Sequence, residues 1–428
     1  MASKSNLSVV MDVGTSKIVA LAGKRNELGK LEILGVSKVP SKGVRRGVVY
    51  NVEEAATCIK EALSKLEPQL EEAVERVNVA YAGQLMKTID YQDSRFTSDD
   101  GVVSKFDIDH LYNQAQKVEL ETGYKIAQVI PTNYQVDGEI STMDPFGITG
   151  REIIANYKLV IIPDEYLANL HRVFDRVGVE LGEITLSPLA CAEAVLTEEE
   201  REMGTIVLDI GAGTTGLAIF YDNRLIHSAV IPFGGSVVTR DIKEGCSILL
   251  KWAEQLKIQY GEALGDFADD QKVVTIPGHN GWEPKEISFK SLAFIIQARL
   301  EEIMDSVNLE IEKSKIIDQL GAGIVIAGGT SNLNNFQSLV KYRTGMDARK
   351  ANLAFNPKCA KEIILDTDNL TAIGLLNLLV NETTISERVT GRKQKRRKEK
   401  GGFSSIVNRV VQGVLDLVDD DNEDIELN

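Results

Sequence analysis

Two short runs in this chain combine an aspartate, glycines and hydroxyl side chains in the same order. They are Asp12-Val13-Gly14-Thr15-Ser16-Lys17 and Asp209-Ile210-Gly211-Ala212-Gly213-Thr214-Thr215. Glycines let successive backbone N–H groups turn toward one point, which is how loops hold anions, and Thr15, Ser16, Thr214, Thr215 and the Lys17 ammonium add donors. A pair of such loops can grip a polyphosphate from both sides. Each leading aspartate, Asp12 and Asp209, stands where it could hold Mg2+ through the ion's waters, because Mg2+ keeps most of its hydration shell and takes few protein carboxylates. One run alone reads equally well as a tight hairpin turn. Two runs together with residues 323–333 (GIVIAGGTSNL) favour a nucleotide, since Gly328 and Gly329, with Ser331 beside them, would let the backbone approach a flat base. No G-x-x-x-x-G-K-[ST] run competes with this reading.

The elements that must position these loops are legible around them. In residues 8–23 and 205–221 an apolar run ends in the aspartate, a Gly/Thr turn follows, and a second apolar run leads away. This is the pattern of a buried hairpin with a functional turn, present twice. The repetition predicts two α/β halves facing each other across a cleft. In the first half, residues 31–36 and 76–81 read as strands and 52–66 as a helix. Residues 84–162 then break the βα rhythm with strand-like stretches at 124–135 and 153–162 around a helix near 108–119, which suggests an inserted α+β subdomain. A helix at 165–177 and a strand at 183–186 return to the first half. Residues 236–319 read as mostly helical, with a polar hairpin inside 267–286, followed by a strand at 324–327 and a last folded helix at 368–380.

Composition excludes several classes. A chain of 428 residues is long enough for more than one domain of ordinary size, each with its own core. Formal charge is -15, which argues against a nucleic-acid partner because phosphate backbones are met by clustered Lys and Arg. Cys58, Cys191, Cys246 and Cys359 form no C-x-x-C pair, so a zinc or disulfide framework is not expected and a reduced cytosol fits best. No signal-peptide pattern opens the chain, and no stretch has the ~18 uninterrupted apolar residues of a spanning helix.

The paired loops and the Gly-Gly element, in this order, resemble the actin-like ATPase superfamily over residues 9–380. The resemblance implies the actin-like two-lobed fold of duplicated ribonuclease H-like domains, with ATP and Mg2+ as cofactors. Ala253-Glu254-Gln255-Leu256-Lys257 with Gly261 is similar to the superfamily helix that contacts ribose and adenine, which would make Glu254 and Lys257 nucleoside contacts. Spacing alone equally allows an i,i+3 ion pair between them. Where related members carry a Glu before a Pro to position the attacking water, this chain has Ser187 before Pro188. A hydroxyl does not replace a carboxylate base without an activator, so ATPase activity is expected to be weak or absent and no catalytic residue is assigned. Glu193, one to two turns later, is expected to be structural.

Within the superfamily the chain resembles the FtsA family of bacterial division proteins, which tie FtsZ filaments to the membrane. Residues 230–242 (VIPFGGSVVTRDI), the insertion at 84–162 and the C-terminus carry the likeness. The implied organisation is a first lobe of 1–83, 163–203 and 368–385, and a second-lobe core of 204–236 and 318–367. To these it adds an inserted subdomain at 84–162 and a small subdomain at 237–317. The resemblance further implies that the small subdomain binds the FtsZ C-terminal peptide, with Arg299 as a contact, that the chain polymerises with itself in an actin-like filament, and that the inserted subdomain recruits later division proteins.

The last stretch divides into a basic linker (386–402), an amphipathic helix (403–418) and an acidic tail (419–428). Residues 391–400 contain seven basic side chains and one acid. Phe403, Ile406, Val407, Val410, Val411 and Val414 recur at three- and four-residue steps, so one face of the helix is apolar and must be covered. A membrane is the expected partner, because each upstream Lys or Arg adds about 1 kcal/mol near an anionic leaflet; the alternative is that the helix folds back onto the body or enters a protein groove. The acidic tail opposes that attraction. Together with this terminal stretch, the resemblance implies a peripheral protein at the cytoplasmic face of the inner membrane, at the division site. Two rivals share the core: a sugar-kinase-type phosphotransferase, which needs an acidic base in the cleft, and a PilM-like pilus-assembly adaptor, which lacks the terminal helix.

Overall fold

The computed structural model describes residues 7–26, 29–98, 100–278, 283–360 and 366–381. The expected linker, amphipathic helix and acidic tail, with Phe403, Ile406, Val407, Val410, Val411 and Val414, lie outside the described residues. The architecture that follows belongs to the body ending at Asn377. Of the unit that begins at Leu378, the described residues continue a helix running over 370–381.

Two mixed sheets repeat one plan. In the first, Ser8–Val13 pairs antiparallel with Lys17–Arg25 and parallel with Arg76–Tyr81. Glu180–Leu186 flanks Arg76–Tyr81 at one edge; Leu31–Pro40 and Lys358–Cys359 complete the other. In the second, Thr205–Ile210 pairs antiparallel with Thr215–Tyr221 and parallel with Ile324–Ala327, and Arg224–Ile231 and Ala348–Lys350 form the edges. The central strands are buried on both faces, which is why they read as continuous apolar runs rather than alternations. The shared plan puts each aspartate at the same place, next to last in its strand. Asp12 lies opposite Val19 and Asp209 opposite Gly216.

Each sheet is covered by helices. Val52–Leu66 and Asp164–Val177 pack with the first sheet in one apolar cluster that includes Ile59, Leu66 and Phe174. Gly235–Gly245, Leu250–Tyr260 and Phe289–Lys313 build a second cluster with the other sheet, around Val238, Leu256 and Leu300. The chain passes between the halves through Ser187–Val195, with Pro188 in its first turn, where a missing N–H costs nothing. The helix over 370–381 comes against it so closely that a β-carbon on Gly374 would lie 2.8 Å from the Ala190 carbonyl carbon, and closer still to its oxygen.

The insertion is a four-stranded antiparallel sheet, ordered Lys87–Phe96, Glu152–Pro163, Tyr124–Val136, Ile140–Thr142, with one helix on it. That helix runs Lys105–Ala115, earlier than the expected 108–119. Ser104 and Asp107 form a capping box that fixes its start. Lys87–Phe96 was not expected as a strand. Its sequence, KTIDYQDSRF, leaves most side chains at least partly exposed, so little apolar alternation marks it. Other strands extend their expected bounds, as Leu31–Pro40 and Glu180–Leu186 do. The polar hairpin is Val273–Ile276 with Lys285–Ser288. The last helix is preceded by a separate short turn, Thr367–Asn369, rather than starting at Asp368.

Candidate functional site

The two hairpin turns close in the same way. The Gly14 N–H donates to the Lys17 carbonyl (3.1 Å), and the Gly211 N–H to the Thr214 carbonyl (3.0 Å). A side chain at Gly14 would stand 2.8 Å from that Lys17 oxygen, so the first turn requires glycine. Both turns open onto one cleft. Its lining includes Asp12, Gly14, Thr15, Ser16 and Lys17 from the first turn and Asp209, Gly211, Gly213 and Thr214 from the second, with Gly328 and Gly329. The two remote runs therefore do converge.

Neighbouring elements brace the second turn. The N–H groups of Gly235 and Ser236, at the start of a helix, donate to the carbonyls of Gly211 (2.9 Å) and Ala212 (2.8 Å). The Thr330 hydroxyl donates to the same Gly211 carbonyl at 3.1 Å. Gly328 has φ +83, and a side chain there would meet Asp209 Oδ1 at 2.5 Å, so glycine is required twice over, by backbone and by space. Thr371 donates to Asp209 Oδ2 at 3.4 Å.

Four expected nucleotide contacts do not line this cleft. The Thr215 side chain is buried, and its hydroxyl donates to the Phe233 carbonyl at 2.8 Å. Ser331 is buried and donates back to the Gly328 carbonyl at 2.7 Å. Glu254 and Lys257 form the i,i+3 pair that spacing allowed (2.9 Å), and Lys257 also donates to Thr239 (2.8 Å) and the Gly235 carbonyl (3.1 Å). They brace the helix that supports the second turn. Arg299 is likewise committed: it is bidentate to Asp241 and bonded to Glu302, so it ties two helices together. Glu193 is structural as expected, paired with Arg201 (2.8 Å) and accepting from Asn377 (3.0 Å).

Several lining residues were not singled out from sequence as contacts at this site. Asp368 lines the cleft and pairs with both Lys17 and Lys38. Its place just before a helix gave it the look of an ordinary first-turn acid. Gly47 also lines the cleft and donates to Thr15 Oγ1 at 3.0 Å. A side chain there would run into the Ala82–Gly83 backbone, and φ is +69, a constraint whose only trace in sequence is the glycine itself. Cys191 and Thr371 face the cleft from the two helices that meet at Gly374.

Charge in the cleft is unbalanced. Burial first, and then the charge of Asp209, push the Asp12 carboxyl up to about 7, with Lys17 pulling the other way. Burial also raises Asp209, opposed by Lys17 and Thr371. Two enclosed carboxylates held in this way are fitted to a cation, which would restore both to their ionised form. Among the described residues no group of three or more His, Cys, Asp or Glu side chains could cage a metal ion. A hydrated Mg2+ taking two carboxylates through water suits that donor set. Burial would raise Asp368 too, but Lys17 and Lys38 outweigh it and hold the carboxyl below its ordinary value.

Comparison with known proteins gives a consistent answer. The family model described as cell division protein FtsA matches residues 206–374, and the one described as an SHS2 domain inserted in FtsA matches residues 83–161. The cell division protein FtsA of Pseudomonas aeruginosa is 30% identical over 407 residues, which cover 95% of this chain and 97% of that one. Among solved structures, a PilM–PilN type IV pilus biogenesis complex matches with TM-score 0.61 and 16% identity, over 87% of this chain and 98% of the other. MreB5 of Spiroplasma citri bound to ADP matches with TM-score 0.53 and 17% identity, over 91% and 99%. At such identities these two structures share the fold, which is the actin-like two-lobed one.

Proposed function

This chain belongs to the FtsA family of cell division proteins, and from that membership we propose that it binds Mg2+ and ATP in the cleft and links FtsZ filaments to the inner membrane. The observation that carries the nucleotide reading is the convergence of the two Asp-Gly-Thr turns on one cleft, with both carboxylates facing into it. The N–H groups of the turns and the hydroxyls of Thr15, Ser16 and Thr214 would hold the phosphates. Asp12 and Asp209 would hold Mg2+ through water, and Gly328 and Gly329 would admit the base. Glu254 and Lys257 would act through the helix at Gly235 that they brace. Bound Mg2+ and triphosphate supply the opposite charges that the carboxylates and the N–H groups are arranged to meet.

Hydrolysis is proposed to be slow or absent. Ser187 and Pro188 line the cleft, so the position that a water-positioning carboxylate would take holds a hydroxyl. The carboxylates that do line it are committed: Asp12 and Asp209 to the cation, and Asp368 to two lysines. This counts against the sugar-kinase reading, which needs a free acidic base. Likeness to the PilM complex is a matter of fold, whereas the Pseudomonas relative matches along nearly the whole chain.

The tether is proposed to be the apolar face of residues 403–418, carried on the basic linker 386–402. Among the described residues no helix is long and apolar enough to cross a membrane. Self-assembly into an actin-like filament, capture of the FtsZ C-terminal peptide near Arg299 and recruitment of later division proteins through the inserted subdomain complete the reading. Flotation with anionic liposomes in Mg-ATP tests the tether. The full chain should rise with the lipid and a chain lacking 403–428 should not; equal behaviour of the two would refute it. Asp209→Ala should abolish nucleotide-dependent filaments.

A further inference from the structure

Lys17 is the single cationic side chain among the described residues that line the cleft, and it is already paired. Its partner, Asp368, also holds Lys38, which stands on the neighbouring strand Leu31–Pro40 and does not line the cleft. Lys38 in turn reaches Asp366 at 3.8 Å. Lys17 and Asp368 are each about a quarter exposed, at 23% and 24%, so their attraction is only partly screened. The negative charge of Asp368 is felt deeper in the cleft, where it contributes to raising Asp12. An incoming polyphosphate therefore meets a carboxylate that competes for the one lysine available and repels it as well.

We propose that Asp368 is an internal competitor for the nucleotide's phosphate, and that Lys38 sets how strongly it competes. The carboxylate holds Lys17 until a phosphate takes the ammonium over, and Lys38 weakens that hold by sharing the same carboxylate. Affinity is then set partly by a residue outside the cleft. A phosphate that wins Lys17 leaves Asp368 to Lys38, so the turn Thr367–Asn369, just ahead of Thr371 on Asp209, loses its tie to the first hairpin. The inference rests on the cleft taking Mg-ATP and adds to that reading what regulates the affinity.

The test is equilibrium binding of Mg-ATP to the full chain and to Asp368→Asn, Lys38→Met and the double variant, with thermal melting in the absence of nucleotide. Asp368→Asn should bind about two- to fivefold more tightly, the scale of one partly exposed charge pair, while melting at a lower temperature because two ion pairs are gone. A merely structural role would move both in the same direction. Lys38→Met should bind more weakly, and its effect should vanish in the Asp368→Asn background. Equal or weaker binding by Asp368→Asn, or a Lys38→Met effect that persists undiminished in the double variant, would overturn the proposal. Should Asp368→Asn fail to fold, Lys38→Met still decides, since unchanged affinity in that variant overturns it. A wild-type chain that binds no Mg-ATP overturns the nucleotide reading and this proposal with it.

Discussion

Thr15 of the first hairpin turn lies directly against Gly213 of the second: a β-carbon on Gly213 would stand 2.9 Å from Thr15 Cβ and nearer still to its hydroxyl. The two halves of the molecule thus touch where their Asp-Gly-Thr turns face each other. Thr15 cannot easily move aside, because its hydroxyl accepts from the Gly47 N–H at 3.0 Å. Gly213→Val should wedge the turns apart. Overpacking of this kind costs about 1–3 kcal/mol, so Mg-ATP affinity should fall roughly ten- to hundredfold. Calorimetric titration measures it, and unchanged affinity would show that the turns do not act as a pair.

The raised Asp12 carboxyl makes both stability and ligand binding depend on pH. Its ordinary value is 3.8 and in the folded chain it lies near 7, so between these the folded protein keeps a proton that the unfolded chain has lost. With a chelator present, stability should therefore decline as pH rises from about 4 to about 7 and level off above. Mg-ATP binding, which needs the ionised carboxylate, should strengthen over the approach to pH 7 and release a proton near neutrality. Titrations in buffers of different ionisation heat detect that proton. Asp12→Asn should reduce the pH dependence, leaving the part that the raised Asp209 carboxyl contributes.

Gly374 offers a test of the packing between the two helices at the base of the cleft. In an isolated helix Ala is favoured over Gly by about 1 kcal/mol. Here the added β-carbon would collide with the Ala190 carbonyl, against backbone that cannot rotate away. Gly374→Ala should therefore destabilise the chain by about 1–3 kcal/mol or more, seen as a lower midpoint in urea. A stabilised variant would mean the helices are not in contact there.

Arg299 presents a separable pair of roles. Its bidentate bond to Asp241 means that Arg299→Ala removes a structural tie as well as any partner contact. Asp241→Asn weakens the tie and leaves the guanidinium paired with the exposed Glu302 alone. If Arg299 binds the FtsZ C-terminal peptide, Asp241→Asn should bind it at least as well as wild type, while Arg299→Ala should lose about tenfold or more, the scale of a charge-assisted hydrogen bond. Equal losses in both, by fluorescence anisotropy, would assign Arg299 to structure alone.

The sequence carried the site unevenly, for physical reasons. The paired turns were legible because both strands of each hairpin are buried on two faces and so leave unbroken apolar runs on either side of Asp12–Lys17 and Asp209–Thr215. Asp368 was not singled out as part of the cleft, because nothing local distinguishes a residue that reaches it from the far end of the chain. Glu254 and Lys257 show the reverse: their spacing fits a nucleoside contact and an ion pair alike, and they form the ion pair, bracing Gly235. Lys87–Phe96 stayed hidden because an exposed strand held by its neighbour Glu152–Pro163 needs no apolar alternation of its own.

The most direct measurement of the whole account is co-flotation of FtsZ with anionic vesicles in Mg-ATP. With the full chain present, FtsZ should rise with the lipid; with a chain ending at residue 381, or with a peptide-deleted FtsZ, it should stay at the bottom of the gradient. FtsZ that remains at the bottom with the full chain, or that rises equally with the shortened one, would contradict the proposal that this protein ties FtsZ to the membrane.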